Sequence, residues 1–281
     1  NPLKDIRTLV ELFRLIKYVR PDYVLSYTIK PIIYGTLCSW LAGIRHRVSM
    51  VTGLGVVFTE ISNENINKFT RALIKLLYCA ALKLSTKIIF QNHDDHKLFL
   101  KLGILKQQRP VSIVNGSGVD LTEFTIAKTN KKHNFLIISR LIASKGIREF
   151  VNAARIIKST NASINFTVVG WIDEGEDSIS DEELQGWIDE GVIRYLGFLQ
   201  DVRPAIIGCS AYVLPSYREG TPRSVLEAMA MGRPIITCDA PGCRETVVDG
   251  ENGFLVRVGD VESLVDAMKQ FIVNPDLIDS M

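Results

Sequence analysis

From residue 23 to residue 238 this chain alternates short runs rich in Val, Ile and Leu with longer segments whose apolar residues recur every third or fourth position. The short runs suit strands and the longer segments suit amphipathic helices. Strands separated by helices cannot close as hairpins, so they pair in parallel, and a parallel sheet needs both faces covered. The alternation therefore points to the α/β class.

Leu3, Ile6, Leu9, Val10, Phe13 and Ile16 mark a first helix that Pro21 ends, ahead of a strand at 23–28. A helix follows Pro31, then a strand near 47–52, a helix over 67–84, and strands near 87–91 and 111–114. The polar stretch 127–133 has linker composition. Beyond it the spacing predicts strands at 134–139, 165–170, 193–196, 211–214 and 234–238, and helices over 146–159, 181–190, 202–209, 222–231 and 261–273. At 281 residues the chain is long enough for two cores. The expected architecture is two Rossmann-like doubly wound domains, 1–127 and 134–281, joined by a linker at 128–133.

Apolar residues make up 47% and charged residues 23%, which excludes disorder and a disulfide mini-scaffold. The longest uncharged stretches, such as 31–44, reach only 14 residues, short of the roughly 20 that a membrane-spanning helix needs. Cys38, Cys79, Cys209, Cys238 and Cys243 form no CxxC pair and are odd in number, so they read as buried thiols in a reducing compartment. The net charge of +2 hides an asymmetry: residues 1–130 carry 18 Lys and Arg against 9 Asp and Glu, while residues 131–281 carry 15 against 22. A basic first half suits an anionic partner such as a phosphorylated lipid, a membrane surface or nucleic acid; a solvated basic face also accounts for it.

Ligands of open parallel sheets bind at the carboxyl ends of strands, which directs attention to the strand-to-helix loops. Ser139-Arg140-Leu141-Ile-Ala-Ser-Lys145-Gly146 sets two cations at a strand end before a helix start, an arrangement suited to a diphosphate. Taken alone, both cations also fit surface solvation. In Pro215-Ser-Tyr-Arg-Glu219-Gly220-Thr221-Pro222-Arg223-Ser224-Val225-Leu226-Glu227, Gly220 permits close backbone approach, Thr221 is a good N-cap and Pro222 suits the first helical position. Glu219 then lies just before the helix and Glu227 about a turn and a half inside it, placed to accept from sugar and ribose hydroxyls. Dipole complementation and a surface salt bridge are the competing readings. The segment 239–254, rich in turn residues, is expected to fold as a loop over the cleft between the domains.

Together, Glu219 and Glu227 with the following Ala228-Met-Ala-Met-Gly232-Arg-Pro234, Ser139-Arg140 with Lys145-Gly146, and Gly118-Val119-Asp120 resemble the retaining GT-B glycosyltransferases of glycosyltransferase family 4. The resemblance spans essentially the whole chain. Thr28-Ile-Lys-Pro31 and Val51-Thr-Gly-Leu-Gly55 are similar to a bacterial subgroup that builds O-antigens, capsules and lipid-linked glycans. It implies a nucleotide-sugar donor, most often a UDP-sugar, in the second domain, and an acceptor in the first. Catalytic roles would fall to Arg140, Lys145 and Glu219, and donor binding to Gly118, Gly220, Thr221, Val225, Leu226 and Glu227. The resemblance further implies no metal or other cofactor, a polyprenyl-diphosphate-linked or other glycan acceptor, no nucleic acid, and a cytoplasmic site of action at the inner face of the cytoplasmic membrane with peripheral contact to anionic lipid. It also implies a chain truncated at its N-terminus and at its C-terminus, with an incomplete first domain.

Two features point elsewhere. Gln91-Asn-His93-Asp-Asp-His96 invites a metal reading, yet Asn and Asp suit caps where a strand enters a helix, and no distant third ligand is evident. Gly53-Leu-Gly55-Val-Val-Phe58 starts like a dinucleotide fingerprint but has Phe58 at the third glycine position. Many family members place a His at the end of a first-domain strand, whereas Met50-Val-Thr-Gly-Leu-Gly55 has none. The alternatives carried with the transferase reading are a donor-binding but inactive fragment and a GT-B nucleotide-sugar epimerase.

Overall fold

The computed structural model describes residues 2–53, 68–129, 131–175 and 177–281, which form two compact units, 1–116 and 117–281. The fingerprint-like segment from Leu54 onward lies outside the described residues.

The first unit runs α1 (Pro2–Val19), β1 (Tyr23–Tyr27), α2 (Ile29–Leu41), β2 (His46–Val51), α3 (Lys68–Leu84), β3 (Lys87–Phe90), α4 (His93–Lys101) and β4 (Val111–Ile113). Its four strands lie in sequence order and all pair in parallel. Ile32 and Ile33 of α2 and Tyr78, Ala81 and Leu82 of α3 pack onto Val51, Ile88 and Phe90 of the sheet. A buried hydroxyl chain runs from Thr36 through Ser49 to Ser85, with oxygens 3.2 and 2.7 Å apart, so these polar side chains satisfy one another. Asn92 caps α4 by accepting from the Asp95 N–H at 2.7 Å, which is the capping use expected of Gln91-Asn-His-Asp. His96 packs against the Phe90 ring, and burial lowers its pKa.

The second unit runs β5 (Asn134–Ile138), α5 (Ile147–Thr160), β6 (Asn165–Val169), α6 (Asp181–Asp189), β7 (Arg194–Tyr195), α7 (Arg203–Gly208), β8 (Ala211–Leu214), α8 (Arg223–Ala230), β9 (Ile235–Cys238), β10 (Gly253–Val256), α9 (Val261–Val273) and α10 (Leu277–Ser280). Its strand order is β10-β9-β8-β5-β6-β7, all parallel. The chain builds outward from β5 on one side, then returns to build outward from β8 on the other. The carboxyl ends of β5 and β8 therefore form the topological switch point, where a crevice opens in sheets of this type.

The compact units divide at Gly116, whereas the polar linker was expected at 128–133. Phe124 enters the second unit's core, and Arg233, only 2% exposed, donates to the carbonyls of Ile206, Ala127 and Lys128 at 3.1, 3.2 and 2.9 Å. Those contacts bind 117–128 to the second unit. The segment 239–254 also departs from expectation, because it ends in β10, a strand parallel to β9, and does not remain a loop throughout.

All five cysteines are free, and burial pushes the thiols of Cys209 and Cys238 up to about 12. Among the described residues no helix is long and apolar enough to cross a membrane.

Candidate functional site

The two loops that leave the switch point carry the residues singled out in the sequence. After β5 the chain passes Ser139 and Arg140, takes a short 3-10 turn at Ala143–Lys145, and enters α5 through Gly146, whose φ of 72° is left-handed. A Cβ on Gly146 would lie 2.7 Å from Pro215 Cγ and 2.8 Å from the Pro215 carbonyl carbon, so the first loop sits directly on the second. The Ser144 carbonyl accepts from the Tyr217 N–H at 2.9 Å and from Ser216 Oγ at 3.2 Å. These bonds fix the two loops to each other before either charged side chain is considered.

Across this junction the Lys145 ammonium is hydrogen-bonded to Glu219 Oε1, with side-chain exposures of 18% and 13%. A third loop, after β9, supports the pair from behind. The Glu219 N–H donates to the Pro241 carbonyl at 2.9 Å. Gly242, at φ 81°, is so close that a Cβ there would stand 2.5 Å from the Glu219 carbonyl carbon and 2.6 Å from the Gly220 carbonyl oxygen. Tyr217, between these supports, donates to Glu149 Oε1 at 2.7 Å; burial and that carboxylate push its pKa up to about 12.

Arg140 and Glu227 have partners of their own. Arg140 Nη1 bonds Asp173 Oδ2 at 2.6 Å, beyond the end of β6, and remains 48% exposed. Glu227 accepts from Arg223 Nε at 2.9 Å, one turn back on α8, while only 12% exposed; burial raises its pKa and Arg223 opposes that rise. Tyr212, buried on β8, connects these parts. Its hydroxyl donates to the Ile138 carbonyl at 3.0 Å, lies 2.7 Å from Ser224 Oγ, and feels the charges of both Glu219 and Glu227.

The remaining expected residues take varied positions. Gly118 adopts φ 75° near the start of the second unit with open space at its Cβ position. Gly220 is buried, and its carbonyl accepts from Thr221 Oγ1 at 3.0 Å. Thr221 does not cap α8: Pro222 occupies the cap, where it offers no side-chain hydrogen bond, and the helix begins at Arg223. The Thr221 hydroxyl turns back to Gly220, which explains the difference. Val225 buries its side chain in the core, and its N–H, like that of Leu226, donates to the Pro222 carbonyl.

Sequence reasoning did not single out Asp173, Tyr212, Arg223 or Gly242. Arg223 alone had a local signal, its i,i+4 spacing to Glu227. The others depend on which strands become neighbours. Among the described residues no three His, Cys, Asp or Glu side chains group as metal ligands.

A cation and a carboxylate, held at a switch point beside a helix start, can bind the phosphates and hydroxyls of a sugar nucleotide. Comparison with known proteins gives the same class. In an alignment of 292 positions that covers 99% of this chain and 74% of the relative, the chain is 27% identical to the N,N'-diacetylbacillosaminyl-diphospho-undecaprenol alpha-1,3-N-acetylgalactosaminyltransferase of Campylobacter jejuni. In an alignment of 283 positions that covers 95% of this chain and 70% of the relative, it is 26% identical to the UDP-Gal:alpha-D-GlcNAc-diphosphoundecaprenol alpha-1,3-galactosyltransferase of Escherichia coli. In fold it is similar to Anabaena Alr3699/HepE in complex with UDP, with a TM-score of 0.76 at 20% identity, covering 97% of this chain and 74% of that one. The family model of glycosyl transferases group 1 matches residues 132–274, just over half of the sequence and nearly all of the second unit. The chain belongs to that family and is a GT-B glycosyltransferase.

Proposed function

We propose that this chain transfers a sugar from a UDP-sugar to a polyprenyl-diphosphate-linked glycan in bacterial surface polysaccharide synthesis, with retention of anomeric configuration and without a metal cofactor. The observation that carries the proposal is the junction of Lys145 with Glu219, 74 positions apart in sequence and brought together by the loops of β5 and β8. Lys145 and Arg140 take the donor diphosphate, assisted by the start of α5. Negative charge grows on the leaving phosphate as the glycosidic bond breaks, so cations fixed in advance stabilise the transition state more than the ground state. Glu219 holds the hydroxyls of the donor sugar and Glu227 those of the ribose. The names of both relatives contain a diphospho-undecaprenol acceptor and an alpha-1,3 linkage, which supports the acceptor class and a retained α configuration.

The test is incubation of the protein with labelled UDP-sugars and a lipid-linked acceptor. Label transferred to lipid by the wild type and lost in Glu219→Ala supports the reading. Interconversion of free sugar nucleotide, or UDP binding without transfer to any acceptor tried, contradicts it.

A further inference from the structure

Arg223 opens α8, whose first turn carries no acidic residue and whose cap, Pro222, offers no side-chain hydrogen bond. The positive end of a helix dipole disfavours a cation there. Arg223 also stands N-terminal to its partner Glu227, the poorer of the two orders for an i,i+4 ion pair. Folding therefore gains little from this residue. A cation that breaks both local rules has its reason in the site that α8 enters.

The pair is unequal in its surroundings. The Arg223 side chain is 69% exposed and that of Glu227 12%, so the guanidinium reaches from solvent to a carboxylate that the fold has largely buried. Burial opposes ionisation of Glu227, and Arg223 favours it. Tyr212 on β8, bonded to Ser224, and Glu219 in the loop before α8 share the same field. Neither brings positive charge, so among these groups the cation is Arg223. A carboxylate accepts from two vicinal hydroxyls when both its oxygens are unprotonated acceptors and its plane is fixed. The Arg223 Nε bond to Oε1, at 2.9 Å, fixes that plane and leaves lone pairs on both oxygens. We propose that Arg223 is a positioning residue that makes the site selective for a ribonucleotide donor over its 2′-deoxy counterpart, by holding the Glu227 carboxylate in place for the vicinal hydroxyls of a ribose. This deepens the UDP-sugar reading and rests on its placing of the ribose at Glu227.

The test is calorimetry of the whole chain with UDP and with 2′-deoxy-UDP, without acceptor, from about pH 5 to about pH 9. Both nucleotides carry the same diphosphate, so the ratio of their dissociation constants isolates the ribose contact from phosphate titration. The wild type should prefer UDP by at least about tenfold at neutral pH. Arg223→Gln should weaken UDP about tenfold and 2′-deoxy-UDP by less than about threefold, so the preference collapses. As pH rises Glu227 ionises unaided, so in Arg223→Gln the preference should return, at a higher pH than the one at which the wild type acquires it. Arg223→Lys keeps a cation within reach of Glu227 and should retain most of the preference. Arg155→Gln, which removes the exposed pair with Glu190, should change neither constant and controls for general loss of charge. A preference in Arg223→Gln equal to the wild type's at every pH, equal weakening of both nucleotides, or a wild type that binds both alike would each overturn the proposal and leave a UDP donor standing. A wild type that binds neither nucleotide would overturn the donor reading, and this one with it.

Discussion

Replacing Gly242 by alanine tests whether the third loop holds Glu219 in place. The new Cβ would stand 2.5 Å from the Glu219 carbonyl carbon and 2.6 Å from the Gly220 carbonyl oxygen. Carbon atoms in contact normally lie about 3.5–4.0 Å apart, so one loop must retreat by roughly 1 Å. The Glu219 N–H bond to Pro241 would be strained by the same movement. A shift of that size at a positioning group costs about 10²-fold in rate. The φ of 81° adds a left-handed penalty of roughly 1–2 kcal/mol, which lowers the melting temperature by about 2–8 °C. Gly250 supplies the control: its φ is also 81°, but nothing lies within 4 Å of its Cβ position. Gly250→Ala should therefore lose comparable stability and keep its transfer rate. Equal rates for the two variants, measured as initial transfer of labelled sugar to lipid, would refute the bracing argument.

Glu219→Ala and Arg140→Ala should each lower transfer by about 2.7–4 kcal/mol of transition-state stabilisation while the melting curve stays cooperative; near-normal rates in both would contradict their roles. Lys145→Ala should weaken UDP binding, by calorimetry, more than Lys145→Ala/Glu219→Ala does, because the single change leaves Glu219 facing the diphosphate without its cation; the reverse order would place Glu219 away from the donor. Burial raises the Glu227 pKa, so the folded chain keeps a proton that the unfolded chain has released, and this group's contribution to stability falls as pH rises through that window. Glu227→Gln should accordingly gain stability on wild type as pH rises from about 4 to about 7, while binding UDP more weakly; parallel melting curves across that range would remove the argument. Glu183 has the opposite sign: Arg148, bonded to it at 2.7 and 2.9 Å, lowers its pKa, so its contribution is present at neutral pH and lost as pH falls through the lowered value. Arg148→Gln should cost under about 1 kcal/mol at neutral pH and nothing in strong acid, read by denaturant titration.

Local pattern carried much of the fold. The strand at 211–214 and the helix at 261–273 begin and end where apolar spacing places them, and most other elements differ at their ends by one residue or two. The sequence signal failed where the physical signal is not local. β10 holds four residues between turn-forming segments, and its identity as a strand comes from pairing with β9. The polar composition of 127–133 reads as a linker, but the units divide earlier, at Gly116, because Phe124 and the buried Arg233 tie the preceding segment to the second core, and neither contact is written in the segment's own pattern.

The site divides along the same line. Lys145 and Glu219 were legible as loop residues of the right chemistry, because a cation before a helix start and a carboxylate beside a glycine each have a local reason to be there. That they meet follows from strand order: β5 and β8 are neighbours although β6 and β7 lie between them in the chain, and helical and strand periodicities contain no term for that adjacency. Tyr212 and Gly242 were invisible for the same reason. On β8, Tyr212 reads as one more apolar strand residue until β5 supplies the Ile138 carbonyl, and Gly242 reads as turn punctuation until the loop after β8 passes over it. Asp173 follows β6, the other neighbour of β5, which is why it and not a residue nearer in sequence meets Arg140. The charged groups of this site are thus local in origin, while the groups that fix their positions come from the neighbouring strands and loops, so loss of activity without loss of charge should be sought at Tyr212, Gly242 and Gly146.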